Sequence, residues 1–430
     1  MEKNKKEMII FESLFFLLVL SLPLGYYFIP FATGPVHLFG YRIILILCFF
    51  LLLIKGKIVW QVGSFTRTLM LLIIAWVGYA ALGYFWVSDK TAWLMELIFV
   101  AKGGIFIIVF LSFFEFLPRP KELFFKAWLT GLMSVLFICF LEMTYAVHFS
   151  GNFVDVLSDY PGGDLVRFIP AGTFDNPNNL SIYLIFSVVM LILLLKFKPA
   201  RKEIWLIGIL LCTLVIYQTH SRFANLILVV LCLSVMWLFL SPDYYRMLFS
   251  DKRNFLYPLG GLAIALVLIA YNGLQLSEAI EKHFSTSDFS TEVRINLIKN
   301  GWTFFLQSNG IGIGAGQFET YLQTGKGIYP THHIVNSHNW FIQILAQYGL
   351  VIILPMLGWF IWIIKKQVQM LYLARQRDEL YYFLAVAFLL LLIYVPLSSM
   401  PSNFLNNKFN WLVLFFSAYF TDKFSKAGKC

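Results

Sequence analysis

Apolar segments near the length of a bilayer recur along this 430-residue chain, and short clusters of basic residues or of Gly, Pro and Asn separate them. A helix needs about 20 consecutive apolar residues to cross a membrane. Twelve segments reach or approach this length, and we predict a transmembrane helix for each. They lie near residues 9–29, 38–54, 68–87, 94–114, 125–147, 178–195, 204–219, 222–240, 255–272, 338–364, 379–398 and 409–421. The predicted fold is an all-α, polytopic membrane protein of about 12 transmembrane helices that forms a single integral membrane domain over residues 1–430.

The composition agrees with a protein whose solvent is lipid. Hydrophobic residues make up 59% of the chain and charged residues only 13%, whereas a soluble domain carries roughly 25% charged residues. The net charge of +10 is spread over many short clusters between apolar segments, and not over one basic face. This distribution favours membrane lipids as partners and argues against nucleic acid.

The basic clusters also predict the topology. Cytoplasmic loops of membrane proteins carry an excess of Lys and Arg. With the twelve predicted helices, 23 of the 33 basic residues fall on one side, and every segment on that side carries at least three. A missed or invented helix in the middle would invert this bias further along the chain. We therefore predict that both termini are cytoplasmic.

The ten other basic residues and all seven histidines lie on the predicted outer side, except for Lys102, which lies within a span. Two outer loops are long, at residues 148–177 and 273–337, and the second contains a predicted amphipathic helix. Long ordered loops in a compact protein usually carry function. We expect the chemistry outside the membrane, between these loops, where Arg167 is one candidate for binding substrate.

Three polar clusters mark the outer starts of predicted helices that run inward. Asp175 or Asn176 can cap the first helix, with Pro177 in its first turn, and Ser337 can cap the third. Such helix starts direct unpaired N–H groups and a positive dipole end outward. Together with arginines they would bind a phosphate group, although each cluster alone is also explained as an ordinary cap. The clusters are residues 173–180, 219–222 and 336–339.

Two arginines of the outer side stand out. Arg222 begins an apolar helix on the predicted outer side, where basic residues are disfavoured. Its side chain either extends to the outer lipid headgroups or has a functional role. Arg294 lies in the amphipathic helix of the large loop, and helical spacing places it with Leu297, Ile298, Gly301 and Phe305. We expect this apolar stripe to lie against the membrane. A guanidinium group there is unfavourable for packing but well suited to binding a diphosphate.

His338 stands at the start of the tenth predicted helix, where a neutral imidazole could accept a proton from a hydroxyl group. With His332 and His333 it could instead bind a metal, but the sequence shows no acidic or Cys partner at convincing spacing. The glycine-rich residues 309–317 follow no predicted strand and lack the Gly-Lys-Ser/Thr ending of a phosphate loop. We interpret them as a tight connection whose glycines allow positive φ.

Several sequence motifs of other enzyme classes are absent. The chain has no Walker motif, which argues against a pump driven by ATP. It has no DxD pair in an outer loop, which argues against a sugar-nucleotide transferase that depends on a metal, and no GxSxG motif of hydrolases.

Residues 338–352 resemble a signature of the O-antigen ligase and O-antigen polymerase superfamily. His338 and Asn339 are followed by nine residues and then by Gly349-Leu-Val-Ile352, similar to the HN-x9-GxxG pattern of that family. The glycine-rich segment, the Arg294 helix, the Ser221-Arg222 helix start and Asn176-Pro-Asn178 also resemble that family in order and in side of the membrane. Ile352 departs from the small residue that ligases often have, which favours a polymerase.

The resemblance implies a metal-independent, inverting glycosyltransferase on the outer face of the bacterial inner (cytoplasmic) membrane, without a cofactor. The donor would be a glycan on undecaprenyl diphosphate, and the acceptor would be lipid A-core or a second lipid-linked glycan. Arg222 and Arg294 would bind the diphosphate leaving group, and His338 would orient or deprotonate the acceptor hydroxyl. Asn176, Asn178, Ser221 and Asn339 would contribute to substrate binding.

A transporter or flippase of lipid-linked glycans is the alternative, since twelve helices are common in transporters. Transporters place polar residues near the bilayer midplane on broken helices, often in repeated halves. This sequence shows no such repeat, and its main charges within spans are Glu96 and Lys102. These two residues are six positions apart, so they do not face each other but could pair with neighbouring helices.

Overall fold

The computed structural model describes residues 2–24, 40–148, 168–174, 176–221, 224–225, 227–229, 231, 287–374, 378–397 and 407–428. Within these ranges every regular element is a helix, which confirms the predicted all-α class. We number the helices whose bounds are described in chain order. They are α1 (Glu2–Leu24), α2 (Gly40–Ile54), α3 (Ser64–Leu82), α4 (Lys90–Phe116), α5 (Pro120–Tyr145), α6 (Pro177–Phe197), α7 (Lys202–Gln218), α8 (Ser287–Gln307), α9 (Gln317–Gln323), α10 (Trp340–Leu373), α11 (Glu379–Leu397) and α12 (Lys408–Lys426).

Among the described residues, six helical segments are long and apolar enough to cross a membrane. The shorter apolar helices Gly40–Ile54 and Glu379–Leu392 coincide with two further predicted spans. The predicted span at 255–272 and most of the one at 222–240 lie outside the described residues, so the count of twelve stays a prediction. The six segments are Lys5–Leu24, Ser64–Phe85, Lys90–Phe116, Pro120–Tyr145, Pro177–Phe197 and Trp340–Leu373.

Helix ends that were predicted to share a side of the membrane lie together. At the predicted cytoplasmic end, ion pairs join α1 to α2 through Glu7 and Lys55 (3.6 Å) and α4 to α12 through Glu115 and Lys423 (2.8 Å). At the same end, Asp422 of α12 accepts the N–H groups at the start of α3. The alternation of helix directions is therefore confirmed for these helices, and the identity of the cytoplasmic side stays a prediction.

Aromatic rings form the centre of the helix bundle. Phe114 of α4 contacts rings of α1, α5 and α12, with centroid separations between 5.2 and 6.4 Å. Close approach of the helices depends on small residues, as is usual in membranes. A Cβ atom at Gly103 would lie 2.2 Å from the Trp411 ring, and one at Gly131 would lie 2.5 Å from Pro23.

A second, smaller core lies in the segment between residues 287 and 337, which belongs to the predicted large outer loop. The amphipathic α8 and the short α9 pack against α10 there. This core contains the buried side chains Val293, Leu297, Phe304, Ile313, Phe318 and Ala346. Residues 149–167 and 175 of the other predicted outer loop lie outside the described residues.

Candidate active site

The candidate site begins at the start of α10. Asn339 is the N-cap of this helix, and its side chain accepts the N–H of Ile342 at 3.2 Å. The prediction that Ser337 caps the helix is wrong, because Ser337 lies two residues before the N-cap position. The Ser337 hydroxyl instead lies 3.1 Å from Gln343 Oε1 and accepts the Asn339 N–H at 3.4 Å.

His338 immediately precedes this cap and is half-buried. Its φ is +46°, a conformation that residues other than glycine seldom adopt. Such conformations persist where the surrounding structure over-determines them, and they cluster at functional sites. The backbone at His338 is therefore held in an uncommon conformation at the top of α10.

Helix α10 is broken at Gly349, the glycine of the predicted signature. Its φ of +60° and ψ of −155° lie in a region that is essentially restricted to glycine. A Cβ atom at this position would lie 2.0 Å from the carbonyl oxygen of Gly310. Two independent constraints, backbone conformation and space, therefore require glycine here.

The glycine segment, residues 309–317, docks into this break. Its Gly310, Gly312, Gly314 and Gly316 all have positive φ, between +72° and +106°, which confirms the predicted tight connection. Backbone groups of the segment bond to α10 in place of helical hydrogen bonds. The three bonds, each 2.9 Å, are Ile313 N–H to Ala346 O, Gly314 N–H to Gln347 O, and Leu350 N–H to Gly310 O.

The corner between α3 and α4 fixes the other side of the glycine segment. The fully buried Gln317 accepts the N–H groups of Ser88 (3.1 Å) and Asp89 (3.0 Å) and donates to the Asp89 carbonyl at 2.9 Å. Tyr79 donates its hydroxyl to the Ile311 carbonyl at 2.6 Å. The sequence analysis missed these contacts, since they join residues more than 200 positions apart.

Glu96, inside the helix bundle, bonds to the two residues that precede the break. Its carboxylate is buried and accepts from Gln347 Nε2 at 2.8 Å and from the Tyr348 hydroxyl at 3.4 Å. Lys102 donates to the Tyr41 hydroxyl at 3.1 Å. Glu96 and Lys102 of α4 therefore each bond to a neighbouring helix, as the sequence allowed.

Two carboxyl groups occupy helix starts near the glycine segment. Asp89 caps α4, and its Oδ1 accepts the N–H groups of Thr91 (2.9 Å) and Ala92 (3.0 Å). Glu319 lies in the first turn of α9, and burial raises the pKa of its carboxyl group above the usual value. Helix starts favour negative charge, so capping accounts for Asp89 and a position in the first helical turn accounts for Glu319.

Arg294 is exposed on α8, and the apolar face predicted for it is partly wrong. Leu297, Gly301 and Phe305 are buried against the protein and do not face the membrane. Ile298 is 42% exposed, as predicted. The reason is that α8 carries apolar residues on two faces, and helical periodicity does not show which face packs inward.

The packing of α8 places Arg294 at the same end of α10 as His338. Gly301 of α8 lies beside Ile342, near the start of α10, because a Cβ atom at Gly301 would lie 2.5 Å from it. Further along α8, Phe305 packs beside Gly310, whose carbonyl accepts the N–H of Leu350 in α10. The two helices therefore run in the same direction. Residue 294 precedes Gly301 by two turns, or about 10 Å along the axis, so it lies toward the start of α10.

The first two predicted helix starts lie side by side. Asn176 caps α6 by accepting the N–H of Asn179 at 2.9 Å, with Pro177 in the first turn, as predicted. The hydroxyls of Ser181 in α6 and Thr219 after α7 are 2.8 Å apart. Ser221 is buried, and its hydroxyl accepts the N–H of Ala224 at 3.4 Å. Asn178, in the first turn of α6, is half-buried beside this pair.

A buried carboxylate supports the approach to α6. Glu142 of α5 accepts the N–H groups of Ala171 (2.9 Å) and Gly172 (2.7 Å), and its other oxygen lies 3.2 Å from His148 Nδ1. The side chains of Glu142 and His148 are almost completely buried. They anchor residues 168–174, which lead directly into Asn176.

Three of the ten basic residues outside the predicted cytoplasmic segments, which we call the cationic group, meet around two aromatic rings. Lys408 lies over the Tyr41 ring (4.7 Å), whose hydroxyl binds Lys102. Lys102 and Arg42 both lie over the Phe99 ring, at 4.9 and 5.6 Å. From the sequence, Arg42 and Lys408 were predicted on the outer side and Lys102 within a span, and no pattern brought the three together.

The cationic group adjoins the start of α6. Phe409 follows Lys408 in α12, and its ring centroid lies 6.1 Å from that of Phe174. Phe174 precedes Asn176 by two positions. Positive charge is therefore concentrated beside the helix starts that were predicted to receive a phosphate group.

Two predicted site residues, Arg222 and Arg167, lie outside the described residues. The third helix start, with His338 and Asn339, belongs to the helices that pack with α8 and α3. The structure brings the first two starts together and places Arg294 toward the third. Within the described parts of the chain, no three histidine, cysteine, aspartate or glutamate side chains come close enough to hold a metal ion.

Comparisons with known proteins agree with this geometry. Residues 207–357, which include the glycine segment, His338 and the break at Gly349, match the family model described as O-antigen ligase. The resemblance to the O-antigen ligase and O-antigen polymerase superfamily is therefore confirmed. The chain is also similar to the teichuronic acid biosynthesis protein TuaE of Bacillus subtilis (strain 168), with 27% identity over 375 residues, covering 83% of this chain and 74% of that protein.

Proposed function

We propose that this chain is a glycosyltransferase that moves a glycan from undecaprenyl diphosphate to an acceptor hydroxyl on the outer face of a bacterial cytoplasmic membrane. The observation that carries the proposal is the position of His338. It lies directly before the cap of a helix that is broken three turns later by the glycine segment, within the part of the chain that matches the O-antigen ligase family. The Arg294 helix runs alongside the same helix.

The chemistry follows from a donor that is already activated. The acceptor oxygen attacks the anomeric carbon of the donor sugar, and the bond from that carbon to the diphosphate oxygen breaks. The diphosphate leaves with the electron pair, and His338 takes the proton of the acceptor hydroxyl. Attack opposite the leaving group inverts the anomeric centre, and no nucleotide or metal is required for this step.

Positive charge would stabilise the diphosphate as it leaves. Arg294 and Arg222 are the proposed contacts, because a guanidinium binds phosphate oxygens in a bidentate manner. Asn176, Asn178, Ser221, Asn339 and Arg167 are proposed to bind the substrates. The cationic group would attract the diphosphate toward the start of α6 while the lipid tail stays between helices.

We favour a polymerase over a ligase. The similar protein TuaE is named for teichuronic acid biosynthesis, and Ile352 occupies a position where ligases often have a small residue. Ile352 is buried in α10, three residues after the break at Gly349. The proposed acceptor is therefore the end of a second lipid-linked glycan, and not lipid A-core.

The charges within spans give the transporter alternative no support. Glu96 and Lys102 were the principal charges within spans, and both have bonding partners that explain them. Glu96 holds the break in α10 and Lys102 binds Tyr41. A transport site would instead place such groups around a substrate cavity near the midplane.

The test is replacement of the three proposed catalytic residues one at a time. We expect His338→Ala to reduce surface polysaccharide by a factor of about 100 or more, the range for loss of a general base, with unchanged protein in the membrane. Arg222→Ala and Arg294→Ala should also reduce polymer. Arg119→Ala, an exposed arginine of the predicted cytoplasmic end, is the matched control. Normal polymer in all three variants would refute the proposal.

A further inference from the structure

An open cavity of about 570 Å³ lies in the outer segment, within the size range of small-molecule sites. The loop between α9 and α10 forms most of its wall. Polar groups and one aromatic ring line it together with apolar side chains, a mixture that suits the alternating polar and apolar surface of a sugar. The polar and aromatic residues are Gln323, Tyr329, Thr331, His332 and His333.

Buried asparagines of α8 hold the wall of this cavity in place. Asn300 is fully buried, accepts the N–H groups of Ile328 (2.9 Å) and Tyr329 (3.0 Å), and donates to the Tyr329 carbonyl at 2.9 Å. Asn296 donates to the Pro330 carbonyl at 3.0 Å. The backbone that carries the Tyr329 ring is therefore fixed to a helix, as a built binding site requires.

A tight turn directs two imidazoles to the cavity. His332 and His333 have φ values of +49° and +68°, and the turn is closed by a hydrogen bond of 2.9 Å from Ile334 N–H to Thr331 O. Turns with positive φ at both central positions usually contain Gly, Asn or Asp. Here both positions carry an imidazole that lines the cavity.

The charge around the cavity is positive. Lys299 of α8 places its Nζ over the Tyr329 ring at 5.2 Å, and Lys326 lies over the Tyr321 ring at 4.0 Å beside the cavity residue Gly327. A cation above an aromatic ring beside the cavity can meet carboxylates or phosphates of a ligand while the ring packs against its apolar face. These two lysines therefore favour a ligand that carries negative charge over a neutral one.

We propose that this cavity, which we call the saccharide subsite, binds an anionic saccharide of the acceptor chain. The assignment to the acceptor rests on the proposed function, whereas binding itself does not. His338 follows His333, a residue of the subsite, by five positions along the loop. A sugar chain held there would extend from the catalytic histidine outward, so the subsite would select the polymer to which the next unit is added.

The test measures binding to the purified full-length protein in lipid nanodiscs by saturation-transfer NMR and calorimetry. The probe is a hexamer of galacturonic acid, with maltohexaose as the neutral counterpart and inorganic pyrophosphate as the competing anion. We expect the acidic hexamer to bind at least about tenfold more tightly than maltohexaose. The combined change Tyr329→Ala with Lys299→Met should weaken that binding by a similar factor.

The chain offers a matched control for this double change. Lys90 lies over the Tyr84 ring at 4.1 Å on the same predicted side but outside the cavity, so Tyr84→Ala with Lys90→Met should leave binding unchanged. The changes His332→Asn and His333→Asn remove the imidazoles at positions where asparagine tolerates positive φ. They should weaken binding without lowering the unfolding temperature.

Three outcomes would overturn the subsite. They are equal binding of the neutral and acidic hexamers, unchanged binding in the Tyr329 and histidine variants, and tighter binding of pyrophosphate than of the acidic hexamer, which would indicate a diphosphate site. Failure of the proposed function is seen separately, because the His338→Ala variant would then retain normal polymer whatever the subsite binds.

Discussion

The helix bundle and the outer corner of this protein are held together by different means. In the bundle, rings such as Phe114 pack against several other rings at once, and each contact is replaceable. In the outer corner, where the glycine segment meets α10 and the α3–α4 turn, single residues make specific contacts. Gly349 fits against the Gly310 carbonyl, and Gln317 bonds to the backbone of Ser88 and Asp89.

This difference follows from the solvent. Lipid is as apolar as the bundle core, so helix association depends on shape and small residues more than on a hydrophobic force. At the corner, backbone groups freed by a broken helix must find partners, because unpaired buried N–H and C=O groups are costly. The corner should therefore be far less tolerant of substitution than the bundle.

The largest effect is expected at the break. Gly349→Ala would force a side chain against the Gly310 carbonyl in a conformation that only glycine adopts readily. We expect a loss of about 4 kcal/mol or more of stability, seen as little folded protein after extraction in mild detergent. Gly358→Ala in the same helix is the control, because its Cβ would meet nothing within 4 Å. Equal yields of the two variants would contradict the role of the break.

A smaller loss is expected at Gln317. Gln317→Leu keeps the approximate size but leaves the partly buried backbone groups of Ser88 and Asp89 without their partner. Each such group costs about 1–3 kcal/mol, so the unfolding temperature in a thermal-shift assay should fall clearly. Gln307→Leu, at an exposed position near the end of α8, should leave that temperature unchanged. Similar values for both variants would mean that the corner is held by other contacts.

The smallest effect is expected in the bundle. Phe114→Leu removes one ring from a cluster of many and leaves an apolar side chain of related size. We expect a cost of about 1 kcal/mol, measured in the same thermal-shift assay. A loss as large as that of Gln317→Leu would remove the distinction between the two regions.

The sequence predicted the elements well because length and hydropathy are local properties. The helices predicted at 38–54 and 178–195 differ from Gly40–Ile54 and Pro177–Phe197 by at most two residues at either end. The cap at Asn176 was also predicted, since capping depends on neighbouring residues. Helix existence and some helix ends are therefore readable without tertiary information.

What the sequence did not predict depends on distant contacts. Ile295, Ile298, Trp302 and Leu306 form an exposed apolar face of α8, between 42 and 57% exposed. A second apolar face of the same helix is buried, and periodicity alone could not rank the two. The expected stripe beside Arg294 therefore mixed residues of both faces.

The candidate site was predicted in parts. The signature glycine was recognised, but its purpose became visible only when Gly310 was found against it. The cationic group was not foreseen, because Arg42, Lys102 and Lys408 are separated by 60 residues or more and no local pattern links them. Residues that converge from different helices remain hidden until helix packing is known.

The break in α10 also has a consequence for biosynthesis. The segment that completes it, residues 309–317, precedes α10 in the chain and so leaves the ribosome first. When α10 enters the membrane, the backbone groups that Ala346, Gln347 and Leu350 need are already made. A circular permutation that placed this segment after α10 would change this order. The backbone groups at the break in α10 would then stay unpaired until the segment had been translated.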